Sequence, residues 1–345
     1  GITYRSDRTL EAYAAAHNPL RTTRPRIGPP MHRLVTLASV ILLAAPTFAA
    51  EPRGRQTKDV GARDGVVDGV AYLTLNRVKY HNSQNAHMLY ALDDAFFRAT
   101  GDDDVKVIVL RANGKHFSAG HDIGTPGRDF HVGRDDRRSM NYNHDNKPGA
   151  EKAYVREQEV YLEFCRRWRA VPKPTIAQVH KGCIAGGLML AWVCDLIIAS
   201  DDAFFQDPVV QMGFPGVEYF AHCHELNVRI AKEFLFLGER MSAERAYQMG
   251  MVNRVVPRDE LAGSVRAVAE KIAKQPRLGL ALTKQACNHI EDLQGKRSGM
   301  DMVYGYHHFA HANNTIVKGD YIAGFDGKKM AEANKEKMTN KKKDG

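Results

Sequence analysis

Two short stretches carry the residue types from which an anion site can be built. GKHFSAGHDI (114–123) and GCIAGG (182–187) both combine glycines with small residues. In the first, Ser118, Ala119 and Gly120 turn the chain directly after an apolar run. Such a turn exposes backbone N–H groups, which can donate to a developing negative charge. The second leads from a strand through glycines into a helix, whose first N–H groups are free and whose dipole favours an anion. Two such turns converging from separate strands would form an oxyanion hole. Neither stretch has the GxGxxG or Walker spacing, so a dinucleotide or ATP site is not supported.

Groups able to move protons lie close by in the sequence. His121 follows the first turn, and imidazole titrates near neutrality. Asp207 and Glu218 follow the second, and each is either an acid/base or a carboxylate bound to backbone N–H groups. Tyr219 reads as a core or pocket-wall residue, and Asp122 as structural. HCH (222–224) and HHFAH (307–311) have a metal-like composition, with His307 and His311 spaced i, i+4. No carboxylate or fourth ligand accompanies them at a zinc-type spacing, so surface or interface histidines and no metal are expected.

The surrounding chain is that of a globular protein: 345 residues, 43% hydrophobic and 26% charged, enough to bury a sizeable core. The net charge of +9 is concentrated in the first 60 residues and in a lysine-rich end, GKKMAEANKEKMTNKKKDG (327–345). That end is either a solvated helix or a set of lysines that meets phosphate groups. No basic face interleaved with aromatics appears elsewhere, which argues against nucleic acid. Cysteines 165, 183, 194, 223 and 287 form no CxxC pair, so reduced, buried thiols and a cytoplasmic chain are expected. MHRLVTLASVILLAAPTFAA (31–50) has the shape of a secretory signal, and a genuine one would imply export. Its apolar run is shorter than the roughly 20 residues of a bilayer span, so no membrane insertion is expected.

From about residue 65 the pattern is regular. Strands are expected at 69–77, 105–112, 175–180, 196–200 and 252–257, and helices at 85–100, 151–171, 186–195 and 259–275. Met88, Leu89, Leu92 and Phe96 share one face of the first helix. Short helices follow at AKEFLFLG and SAERAYQMG, and the Gly-, Asp- and Arg-rich segment 124–150 reads as a mobile loop or lid. Strands alternating with helices give an α/β class with a largely parallel sheet.

VAYLTLNR (70–77), VKVIVLRANGKHFSAGHDI (105–123), KPTIAQVHKGCIAGGLMLAWVCDLIIASDDAFF (173–205) and LGERMSAERAYQMGMVNRVVP (237–257) together resemble the crotonase, or enoyl-CoA hydratase/isomerase, superfamily. The resemblance runs from about 65 to 330. It implies a spiral of β-β-α units over 61–258 and a C-terminal helical region, 259–345, used for trimer contacts. Residues 1–60 form an extension outside it. It implies an acyl-CoA thioester as ligand, no separate cofactor, and a homotrimer or hexamer. By position the oxyanion donors would be the N–H groups of Ala119 and Gly186, with Ser118, Gly120, Asp122, Met189, Val209 and Tyr219 lining the substrate. One departure stands out: Met189 and Val209 occupy the positions of the two glutamates used by hydratases. Chemistry would then fall to relocated groups, with Glu218, Asp207 and His121 the candidates. Asp207 reaches the vacated position only if 207–209 is extended. The alternatives are a non-catalytic acyl-CoA-binding protein of the same fold, or a CoA-thioester hydrolase or isomerase using those relocated acids.

Overall fold

The computed structural model describes residues 60–123, 141–142 and 147–323, with side chains from Asp68 onward. All lie within the compact unit Arg55–Gly345. The signal-like stretch, most of the lid-like segment and the lysine-rich end lie outside the described residues. No helix among the described residues is long and apolar enough to cross a membrane.

The elements in chain order are β1 (Val60–Val67), β2 (Val70–Leu75), α1 (Ala86–Gly101), β3 (Val107–Ala112), α2 (Gly149–Glu157), a π-helical turn (Gln158–Glu163), α3 (Phe164–Ala170), β4 (Thr175–Val179), β5 (Gly182–Ile184), α4 (Gly186–Trp192), β6 (Leu196–Ser200) and β7 (Phe204–Gln206). A 3-10 turn (Val209–Met212), α5 (His222–Glu225), α6 (Val228–Leu237), β8 (Met241–Ser242), α7 (Ala243–Gln248), β9 (Arg254–Val256), α8 (Leu261–Ala273), α9 (Arg277–Leu293) and α10 (Lys296–Lys318) complete it. Six strands form one sheet in the order β1-β2-β3-β4-β6-β9, and β5-β7-β8 form a second. Only the β1–β2 and β7–β8 pairings are antiparallel. From β4 to β7 the chain alternates between the sheets, and β9 returns to the first after the β7–β8 pair, which is the expected crotonase spiral. Segment 182–184, read above as loop, is a strand of the smaller sheet.

Alternation along the strands divides the core. Val107 and Val109 of β3 face Leu261, Val265 and Ala269 of α8. Ile108 and Leu110 point the other way, into the larger cluster with Met88, Leu89, Leu92 and Phe96 of α1. The four successive buried apolar positions Val107–Leu110 are what a sheet covered on both faces requires. α1 begins at Asn85, whose side chain accepts the Met88 N–H at 3.0 Å, the usual N-cap arrangement. Its Phe96 ring stacks on Trp168 of α3, centroids 5.3 Å apart.

The helix expected over 151–171 is split by the π-helical turn at 158–163. The wider turn inserts a residue and shifts the register of the faces on either side. At the C-terminal end, α9 and α10 leave Leu282, Ile290, Leu293, Met302, Phe309 and Ile316 exposed.

Phe96→Ala would leave a cavity beside Trp168. The expected loss is about 3–5 kcal/mol of unfolding free energy, read from urea denaturation.

Candidate functional site

The two glycine turns are clasped together by their backbones. Ser118 N–H donates to Gly182 O at 3.1 Å, and Ile184 N–H donates back to Ser118 O at 3.0 Å. Two glycines permit the approach. A Cβ on Gly187 would lie 2.7 Å from Ser118 O, and one on Gly120 2.8 Å from Ile184 O. Gly120 also has φ +89°, a conformation L-residues rarely adopt. On its other side the first turn is held by Gln84, whose N–H donates to Gly120 O (2.7 Å) and whose carbonyl takes the Asp122 N–H (2.9 Å).

This clasp allots the amides. Gly186 opens α4, and among the described residues its N–H meets no carbonyl. The Ala119 N–H, expected to face a ligand, instead donates to His81 O at 3.0 Å. That expectation is corrected: the 81–84 segment runs beside the turn and takes this donor. The amide left over is that of His121, which points away from Gln84 because its neighbours Gly120 and Asp122 pair with Gln84. Ser118 and Asp122, expected at the substrate, are occupied within the fold. Ser118 Oγ donates to Asn82 O (2.8 Å), and Asp122 pairs with Arg77 at 2.6 Å.

Ala185, immediately before Gly186, has φ 47° and ψ −118°. That backbone region is favoured by glycine, and strain of this kind gathers where a site must be held in shape.

The His121 ring lies directly over Gly186: a Cβ there would come within 2.6 Å of its Cδ2 and Nε2. The ring stacks on Tyr161 of the π-helical turn, centroids 3.9 Å apart. Its Nε2 is 3.6 Å from Glu218 Oε2, and neither atom has a hydrogen-bond partner among the described residues. Burial lowers the His121 pKa to about 4 and leaves the ring neutral. Burial, reinforced by the Glu157 carboxylate, raises the Glu218 carboxyl well above the usual range and favours its protonated form. A carboxyl group whose protonated form is favoured by burial therefore faces a neutral imidazole beside a free helix amide.

Asp207 has a different task. It is fully buried and accepts from His222 Nε2 (2.8 Å), Val217 N–H (3.3 Å) and Val209 N–H (3.3 Å). Residues 207–209 are not extended, because Val209 begins a 3-10 turn. The alternation that would place Asp207 at the vacated glutamate position does not apply, and its carboxylate holds the 209–217 loop instead. Met189 and Tyr219, expected at the ligand, are buried core residues; Val209 is half-buried against the same core. Of the thiols, Cys223 and Cys287 are exposed, against expectation.

The histidine groups also depart from expectation. His307, His308 and His311 are 4%, 7% and 4% exposed, and His222 is fully buried; only His224 is at the surface. α10 turns its histidines inward against Phe214, with centroids at 4.7 Å for His307 and 4.2 Å for His311. Glu157, at the end of α2, meets them: its Oε2 lies 3.3 Å from His308 Nε2 and 3.6 Å from His311 Nε2. Glu157 and Tyr161 were not singled out by sequence. The available signal was a carboxylate between Tyr154 and Tyr161 on an otherwise apolar helical face.

The Enoyl-CoA hydratase/isomerase family model matches residues 65–321. The chain belongs to that family. The Mycobacterium tuberculosis protein EchA13, named after the enoyl-CoA hydratases, is 42% identical over 257 residues, 74% of this chain and 81% of its own. A Mycobacterium smegmatis crystal structure assigned to the enoyl-CoA hydratases superposes with a TM-score of 0.68 at 45% identity, covering 76% of this chain and 98% of that one. An enoyl-CoA hydratase/isomerase structure from Xanthobacter autotrophicus gives 0.63 at 29% identity, covering 74% and 87%.

Ala185→Gly would relieve the backbone at the mouth of α4. A gain of roughly 1 kcal/mol in stability is expected from chemical denaturation, with strain relief exceeding the added chain entropy of glycine.

Proposed function

We propose that this chain adds water to a 2-enoyl-CoA thioester, with Glu218 and His121 replacing the two family glutamates whose positions hold Met189 and Val209. The observation that carries this reading is the meeting of three things at one point: the Gly186 amide, the His121 ring over it, and Glu218 Oε2 at 3.6 Å from that ring. The thioester oxygen would accept the amides of Gly186 and His121. Each donor aimed at the enolate oxygen is worth about 2.7–4 kcal/mol of barrier.

The proton balance closes. Neutral His121 takes a proton from water as the hydroxyl adds to the β-carbon; neutral Glu218 gives its proton to the α-carbon. Glu218 is then a carboxylate and His121 an imidazolium. They face each other across the same gap, and return of one proton resets both groups. A single acid would suffice for isomerisation, whereas two complementary groups match hydration.

Assembly belongs to the same reading. The apolar side chains exposed on α9 and α10 support a trimer or hexamer, because large exposed apolar patches commonly mark interfaces.

Turnover of crotonyl-CoA and longer 2-enoyl-CoAs, followed by loss of the conjugated enoyl absorbance, tests the chemistry. Glu218→Gln should lower kcat by about 10²–10⁴ with a smaller change in KM. Gly186→Ala should also lower kcat, because the new methyl displaces the His121 ring. Tight CoA-ester binding with no product from any substrate would instead make this a binding protein. For assembly, light scattering should give a trimer or hexamer, and Leu293→Asp with Phe309→Asp should yield monomer; an already monomeric wild type would refute it.

A further inference from the structure

Glu157, His307 and His311 bring one carboxylate oxygen and two imidazole nitrogens within 4.8 Å of one another, all three residues being buried. The histidines occupy successive turns of one face of α10; Glu157 approaches from the last turn of α2. Both rings are fixed from behind. His307 Nδ1 lies 2.9 Å from Gly216 O, and His311 Nδ1 lies 2.9 Å from Tyr321 O. A carbonyl can only accept, so each Nδ1 carries the hydrogen and each Nε2 presents a lone pair when the ring is neutral. That is how metal-binding histidines are oriented: one ring nitrogen donates to the protein and the other is left for the ion.

Among the described residues, imidazoles are the only basic groups recorded against Glu157. Glu157 Oε1 accepts the Tyr321 hydroxyl at 2.5 Å, but its Oε2 has no hydrogen-bond partner among the described residues, and the residue is 4% exposed. Both ring nitrogens of neighbouring His308 are likewise without hydrogen bonds. Glu218 Oε1 stands 3.5 Å from His307 Nε2. A buried oxygen left unpaired among imidazole lone pairs is a costly arrangement unless a cation belongs there.

We propose that Glu157, His307 and His311 hold a divalent first-row transition-metal ion of the zinc type. Two imidazoles and a carboxylate suit such an ion and are a poor set for calcium or magnesium, which prefer all-oxygen shells. Metal–ligand bonds of about 2.0–2.1 Å place tetrahedral ligand atoms roughly 3.4 Å apart, so the widest pair must close by up to about 1.4 Å. His308 Nε2 is the nearest further donor. The ion would tie α10 to α2 next to Tyr161, the ring under His121. This inference stands without the acyl-CoA reading, because its ligands are not the groups assigned there to proton transfer.

The full-length protein, stripped with chelator and checked for metal content, is titrated with Co²⁺ while visible absorption is followed. Saturation at one equivalent with d–d bands, displacement by Zn²⁺ and a higher melting temperature with Zn²⁺ are expected. Glu157→Gln and His311→Gln should each weaken binding by more than the ~10–100-fold typical of losing an outer-shell partner. His224→Ala, at the surface, should leave it unchanged. Absence of a one-equivalent transition, or binding that survives both ligand variants, overturns the proposal; in the first case a shared proton occupies the cluster. Should the variants fail to fold, X-ray absorption of the Co²⁺-loaded wild type decides: a shell without two imidazoles refutes the assignment. Hydratase turnover is measured separately, so loss of one finding does not remove the other.

Discussion

Ser118 pairs through both its N–H and its C=O with the start of the β5 segment, and this pairing is possible only because Gly187 and Gly120 have no side chains. Every other feature of the site follows from that closeness. It brings the amide of Gly186 next to the turn carrying His121, although about 65 residues of chain separate them. It also forces Ala185 into a strained conformation, so that α4 starts at the point of contact. The parallel sheet beneath supplies the stiffness. β3 and β4 are fixed in register by Ile108↔Thr175 and Leu110↔Ala177, so the turns that leave them cannot slide.

A second constraint is electrical. The space around Glu218 holds one further carboxylate at Glu157, a carboxylate at Asp207 and four buried histidines, nearly all removed from water. Charges are expensive there unless paired. Asp207 lies within hydrogen-bonding distance of His222 Nε2 and two backbone amides. For Glu218, burial and the nearby Glu157 carboxylate push the carboxyl well above the usual range.

Much of this was legible in the residues. The apolar face of α1 was readable because Met88, Leu89, Leu92 and Phe96 repeat at helical spacing, and all four are buried. The glycine turns were readable because a strand followed by small residues has few other uses. Strands β5, β7 and β8 were not, since two or three residues carry no measurable period. The fate of the Ala119 amide depended on where residue 81 passes, which is tertiary information. Asp207 was misplaced because Pro208 and Val209 enter a 3-10 turn where an extended chain was assumed. The inward histidines of α10 were missed for lack of a carboxylate in sequence range; Glu157 is 150 positions before His307 and arrives only through folding.

The inward face of α10 changes what its helix pair can be regarded as. If those helices served only for association, a shortened chain ending after β9 could retain its chemistry as a monomer. Instead α10 delivers His307 to Glu218 and His311 towards Glu157, while Tyr304 reaches back to the Tyr154 carbonyl. The exposed apolar side chains and the inward histidines lie on opposite sides of a single helix. A rigid-body tilt of that helix would move His307 against Glu218 and His311 against Glu157 together.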